Sequence, residues 1–248
     1  MIIIKTPEEM EKMKLVGKIT SSVCDEVVRT VKEGRTTGEL DKVACNAIKK
    51  HGAESAFLNF NGYPGNICTS VNEAVVHGIP GDYVLKNGDI VSIDIGVVFG
   101  GFCGDMAVTV PVGTVSARAK KLIEVTKRAL DAGIKEMVCG NRLYDISASI
   151  QELVEKNGFS VVRALVGHGI GRSLHEDPQI PNYGKRSTGP LLERGMVFAL
   201  EPMVNAGDYR VKLMPDNWTV VSADGSLSGH FEHTVAITEK GWEILTVS

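Results

Sequence analysis

One order of elements occurs twice along this chain: two helices, then strands. Thr6-Pro7-Glu8-Glu9 supplies a capping Thr, a Pro at the first helical position and a Glu three residues after the cap, which opens a helix. Met10, Met13, Val16, Val23, Val27 and Val31 then recur at helical spacing up to Gly34. Thr36-Thr37-Gly38-Glu39 repeats the capping logic before a stripe of Leu40, Val43, Ala44, Ala47 and Ile48 that Gly52 ends. β-rich stretches follow at Ile67–Val71, Ile90–Val98 and Phe102–Pro111. From Ser116 the order restarts, with a helix to about Met137, another at about Tyr144–Asn157, and strands at Phe159–Val162, Met196–Glu201, Val211–Met214, Thr219–Ser222 and Phe231–Thr238. Sliding the sequence by 106, the offset from Gly34 to Gly140, also pairs Glu39 with Asp145, Leu40 with Ile146, Ile48 with Val154, Lys50 with Lys156 and Gly52 with Gly158. This favours a duplicated α+β unit closing into one domain, 1–248, with internal halves at about 1–112 and 113–248.

Composition narrows what such a unit can do. At 248 residues and 43% hydrophobic the chain can bury a full core and is not disordered. A net charge of −3 gives no basic field for a polyanion, so nucleic acid is not expected as the main ligand. No apolar run approaches the roughly 18 residues of a membrane span, and Met-Ile-Ile-Ile-Lys-Thr-Pro has no basic n-region or cleavage site. Five scattered cysteines without a C-x-x-C pair suit a reducing compartment, and the expected location is cytoplasmic.

Acids stand where strands should bury apolar residues. The segment from Ile90 to Val110 reads as two strands joined by a Gly-containing turn. A turn centred on Phe99-Gly100 sets Asp94 directly opposite Asp105 on one face; a different register would change that pairing. Buried like charges must share a proton or be neutralised by cations. Met196-Val197-Phe198-Ala199-Leu200 ends in Glu201, which Pro202 holds extended at the buried end of a strand. Glu232 opens another hydrophobic strand, although alternation alone would let it face solvent.

Histidines complete the set. His168 and His175 lie seven residues apart in a Gly-rich loop, Gly167 to Glu176, and His77 follows an apolar strand before Gly78. His51, His230 and His233 read as ordinary hydrogen-bonding residues. Four acids and one neutral imidazole total −4, which two divalent cations would cancel. The chemistry implied is hydrolysis, with one cation acidifying water, the other polarising a carbonyl and a carboxylate moving the proton.

The strings NEAVVHGIP, DIGV, GDMAVT, GHGIGRSLHEDPQIPNYG, LEPM and FEHT, with Asp94, Asp105, His168, Glu201 and Glu232 at their spacing, closely resemble the type I methionine aminopeptidase family over essentially the whole chain. That resemblance implies the pita-bread α+β fold, a pseudo-two-fold duplicated unit whose antiparallel sheet is covered by helices. It implies removal of the initiator methionine from nascent proteins and peptides when the second residue is small. Carried over residue by residue, Asp94 resembles a chelating ligand of one metal, and Asp105 and Glu232 resemble bridging carboxylates. His168 and Glu201 resemble ligands of the other metal, with Glu201 also the proton carrier. His175 resembles the residue that hydrogen-bonds the scissile carbonyl and its tetrahedral intermediate, and His77 the outer histidine at the scissile amide nitrogen. The methionine pocket would be lined by Phe60, Tyr63, Cys68, Leu174 and Trp218, surfaces that suit a thioether. Phe60 stands where Tyr is common and Leu174 where Phe is common, so the pocket departs mildly from the family.

The implied cofactors are two divalent metal ions, and Co, Mn, Fe and Zn all accept this ligand set. The implied partners are the N-terminal Met of peptides and nascent chains; a transient ribosome contact and a monomeric state are further expectations. Neither an N-terminal zinc-binding extension nor an inserted helical subdomain is apparent, which fits a minimal bacterial-like form. An X-Pro aminopeptidase or prolidase is the competing enzyme, disfavoured because those normally carry an extra N-terminal domain and the first helix here begins at about residue 7. A metal-free interaction module on the same fold is disfavoured because all five ligands are present.

Overall fold

Capping chemistry sets the helices of the computed structural model, which describes residues 1–247. They are α1 (Pro7–Val28), α2 (Thr37–Lys50), α3 (Ala117–Lys135) and α4 (Leu143–Lys156). The Thr6 and Thr36 hydroxyls each accept from the backbone N–H of Glu9 or Glu39, whose carboxylates accept from the cap residue's own N–H in return. α1 ends at Val28 rather than near Gly34, because the Thr30 hydroxyl donates to the Val27 carbonyl at 2.7 Å and tightens the last turn. Both ends of α2 and α4 differ by the same offset, 143 − 37 = 106 and 156 − 50 = 106.

The strands, in chain order, are β1 (Glu54–Ser55), β2 (Cys68–Val71), β3 (Ala74–Val76), β4 (Ile90–Phe99), β5 (Phe102–Pro111), β6 (Ser160–Val161), β7 (Val166–Gly169), β8 (Glu176–Pro181), β9 (Val197–Leu200), β10 (Met203–Asn205), β11 (Val211–Leu213), β12 (Val220–Ser222), β13 (Ser228–His230), β14 (Glu232–Thr238) and β15 (Gly241–Ile244). β1 and β6 also differ by 106 residues. A nine-stranded antiparallel sheet runs β1-β4-β5-β14-β9-β7-β8, with β15 beside β14 and β2 beside β4, so strands from both halves share it.

Two apolar clusters hold the helices to this sheet. One gathers Met13, Val16 and Leu40 with Ile93 and Phe102; the other gathers Leu122, Leu130 and Ile146 with Phe198 and Val235. Phe102 and Phe198 are fully buried, each worth roughly 1.5–3 kcal/mol of transfer free energy. Among the described residues no helix is long and apolar enough to cross a membrane.

The β4–β5 hairpin corrects one expectation. Phe99 pairs with Phe102, so the turn residues are Gly100 and Gly101, both at positive φ. A two-residue turn of this hand needs positive φ at both positions, and a Gly-Gly pair adopts that without steric cost. Asp94 therefore faces Ala107 and Asp105 faces Gly96, rather than each other. The register moves by two, which preserves the side-chain alternation and keeps both acids on one face. A second correction concerns Gly167–Glu176: His168 lies on β7, paired with β9, and only the segment after Gly169 is loop.

Candidate metal centre

Five neighbouring strands each present one ionisable side chain to the same face. Along the order β4-β5-β14-β9-β7, Asp94 comes from β4, Asp105 from β5 and His168 from β7, while Glu232 opens β14 and Glu201 follows β9 directly. Register explains the convergence. Ala107 faces both Asp94 and Glu232 and stands two residues from Asp105; His168 faces Ala199, two residues before Glu201. Residues two apart share a face, and the small alanines leave room above the sheet.

The side chains then meet in a crowded cluster. His168 Nε2 lies 3.9 Å from Asp105 Oδ2 and 3.6 Å from Glu201 Oε1. Its Nδ1 meets the Gly169 carbonyl at 2.9 Å, which assigns the proton of the neutral ring to Nδ1 and turns the Nε2 lone pair toward the acids. Ligand atoms of Asp105, His168 and Glu232 all lie within 4.8 Å of one another. Thr234 clamps the Asp105 backbone, its hydroxyl accepting from Asp105 N–H and donating to the Asp105 carbonyl, and Asn182 donates to the Glu201 carbonyl at 3.0 Å.

Crowding and burial set the protonation. Burial pushes the Asp94 carboxyl up to about 7. Burial first, then neighbouring carboxylates, raise Asp105, Glu201 and Glu232 well above the usual range. Burial, aided by His175, lowers His168 to about 4, so its ring is neutral. Asp94 Oδ1 and Glu232 Oε1 are buried without any hydrogen-bond partner. Orphaned carboxylate oxygens beside a neutral imidazole are the donor set that a divalent cation satisfies, so the residues present fit one.

Every other residue expected in the catalytic or methionine-binding site borders the same cavity of about 280 Å³: His77, His175, Phe60, Tyr63, Cys68, Leu174 and Trp218. A larger cleft of about 580 Å³ beneath the N-terminal segment holds none of them. The His175 ring meets His168 edge-on at 4.4 Å and Phe60 at 5.4 Å; Tyr63 meets Trp218 at 5.1 Å. The Tyr63 hydroxyl contacts the Ile67 and Gly78 carbonyls, fixing the ring as a wall. His77 adopts φ 59°, a left-handed conformation costly for a side chain and commonest where a site requires it.

The loop bearing Leu174 and His175 is tied down from the chain's start. Glu176 Oε1 accepts from the Arg172 and Ser173 amides, while its Oε2 meets Lys5 Nζ at 2.6 Å in an ion pair only 3% and 6% exposed. The Met1 ammonium pairs with Asp177 beside it.

Three features escape the sequence reading. Phe57 and Asn61 also line the cavity, and no local pattern marks them. His230 is buried with an unpartnered Nε2, whereas His233 makes the ordinary hydrogen bond expected of it, Nδ1 to Thr246 Oγ1 at 2.9 Å. His51 Nε2 is likewise unpartnered, against expectation. The period-two spacing of His230 and Glu232 is the signal that points at the first of these histidines.

Known proteins share both sequence and shape with the chain. The description of metallopeptidase family M24 matches residues 11–239. Methionine aminopeptidase 1 of Bacillus subtilis (strain 168) is 54% identical over 246 residues, covering 99% of each chain. The crystal structure of methionine aminopeptidase from Thermotoga maritima superposes with TM-score 0.98 at 50% identity, covering both chains completely. A prolidase from Pyrococcus furiosus shares the fold alone, with TM-score 0.79 and 24% identity over 99% of this chain and 66% of that one.

Proposed function

The chain belongs to metallopeptidase family M24, and from that premise we propose how its own residues release methionine from the start of a polypeptide. It has the pita-bread fold and acts as a metal-dependent methionyl aminopeptidase on nascent proteins and peptides whose second residue is small. The observation that carries the reading is the convergence of four carboxylates and one imidazole at the floor of an aromatic, sulfur-lined cavity.

Asp94, Asp105, His168, Glu201 and Glu232 would hold two divalent ions, and Co, Mn, Fe and Zn all suit the set. When bound, such ions acidify water and polarise the scissile carbonyl. Glu201, side chain 14% exposed at the cavity floor, takes the proton from the attacking water and returns it to the departing amine nitrogen. His175, on a loop held by Glu176, donates to the carbonyl oxygen as charge develops there. His77 contacts the amide nitrogen from the other wall.

Phe60, Tyr63, Cys68, Leu174 and Trp218 receive the methionine side chain. Sulfur packs favourably against ring edges, and a closed apolar wall rejects charged side chains. Burial, reinforced by Asp94, keeps the Cys68 thiol protonated, so it presents a neutral surface to a thioether.

The test is metal analysis of protein purified without chelator, followed by assays on Met-Ala-Ser and Ala-Pro peptides. Methionine release that stops on chelation and returns with added cation is expected. Cleavage of the Pro peptide alone would overturn the reading in favour of an X-Pro peptidase.

A further inference from the structure

His230 enters the centre where the sheet breaks. β13 ends at His230 and β14 begins at Glu232, so Phe231 turns into the second apolar cluster while the side chains on either side of it share the carboxylate face. The imidazole is 1% exposed and its Nε2 has no partner. That nitrogen faces Glu201 Oε2 at 3.8 Å and Glu232 Oε2 at 3.9 Å, much as His168 faces Asp105 and Glu201. Such gaps are too long for hydrogen bonds, yet they leave one buried nitrogen aimed at two carboxylates. The backbone beneath is fixed: the Thr109 hydroxyl accepts from His230 N–H and donates to the His230 carbonyl, each at 2.8 Å.

The two rings differ in which nitrogen carries the proton. His168 gives its Nδ1–H to a carbonyl and turns a lone pair inward, as a ligand should. A lone pair on His230 Nε2 would repel both carboxylates it faces, whereas an N–H there serves both. We propose that His230 is a positioning residue of the centre: its Nε2–H faces Oε2 of both Glu201 and Glu232, attracts the two carboxylates electrostatically and holds them toward a divalent cation. This rests on the cation-binding reading above.

The experiment titrates the cation-stripped 248-residue chain with Co²⁺, following heat and visible absorption, for wild type, His230→Gln and His230→Leu. Gln carries an amide N–H at about the reach of Nε2; Leu fills the space and donates nothing. Leu is expected to weaken Co²⁺ binding about 10–100-fold, with Gln restoring most of it and the absorption bands unmoved in both. Unchanged affinity in the Leu variant overturns the role. Bands that shift in both variants also overturn it, because they make His230 a ligand. If circular dichroism shows the Leu variant unfolded, His230→Asn replaces it, its amide being too short to reach; affinity equal to that of the Gln variant then counts against the proposal. Wild type that takes up no Co²⁺ sinks the cation reading itself, whereas wild-type binding with unaltered variants sinks only this inference.

Discussion

The two halves agree in their helices and disagree in how their strands deliver acids. α2 and α4 have identical spans once displaced by 106 residues. In the first half, Asp94 and Asp105 sit inside the regular β4–β5 hairpin, each strand ten residues long. In the second half, Glu201 and Glu232 sit at interruptions, after a four-residue strand stopped by Pro202 and just past the break at Phe231. The helical layer answers only to packing and tolerates copying. The inner face must place five different side chains around one point, so its two contributions diverge.

If the halves are equal partners, Asp105→Ala and Glu232→Ala should each remove activity and cation uptake together, the largest effect expected. Calorimetric titration beside a methionine-release assay checks this; retained cation binding in either variant would break the symmetry. His175→Ala should lower kcat by about 10²–10³-fold with cation content intact, because it removes a donor to the carbonyl and no ligand. A parallel fall in cation content would mean that the loop belongs to the cation site.

Stripping cations sharpens the contrast between inner face and helical layer. Carboxyls held above their unfolded values favour the native state while protonated, and that advantage disappears as pH rises through the folded values, about 7 for Asp94. Chelated protein should therefore melt at a lower temperature at pH 8 than at pH 5.5, with added cation restoring most of the loss at pH 8; calorimetric scans at both values measure it. The smallest effect lies in the copied helices. Thr36 caps α2 through its hydroxyl, while its counterpart Arg142 makes no side-chain cap bond. Thr36→Ala should cost about 1 kcal/mol, seen as a melting shift of about 2–4 °C with kcat unchanged.

Local chemistry made much of this readable. Capping residues announced two of the four helices, and acids flanked by Ile93, Ile95 and Ala107 were conspicuous because strands rarely bury unpaired charge. The hairpin register was harder, since several turns fit one pair of strands until the demand for positive φ at both positions selects Gly100-Gly101. β7 was hidden because Val166-Gly167-His168-Gly169 has no strand propensity of its own and is extended by pairing with β8 and β9. His230 was passed over for a similar reason: its meaning depends on Glu201, which only the fold brings near.

Glu176 divides its two oxygens between the amides of its own loop and the ammonium of Lys5. Removing one member of a buried pair costs about 3–5 kcal/mol, so losing the Lys5 ammonium would leave that carboxylate buried with only the two loop amides and loosen the segment carrying Leu174 and His175. The Lys5–Glu176 pair thus makes the segment ahead of α1 a brace for one wall of the cavity.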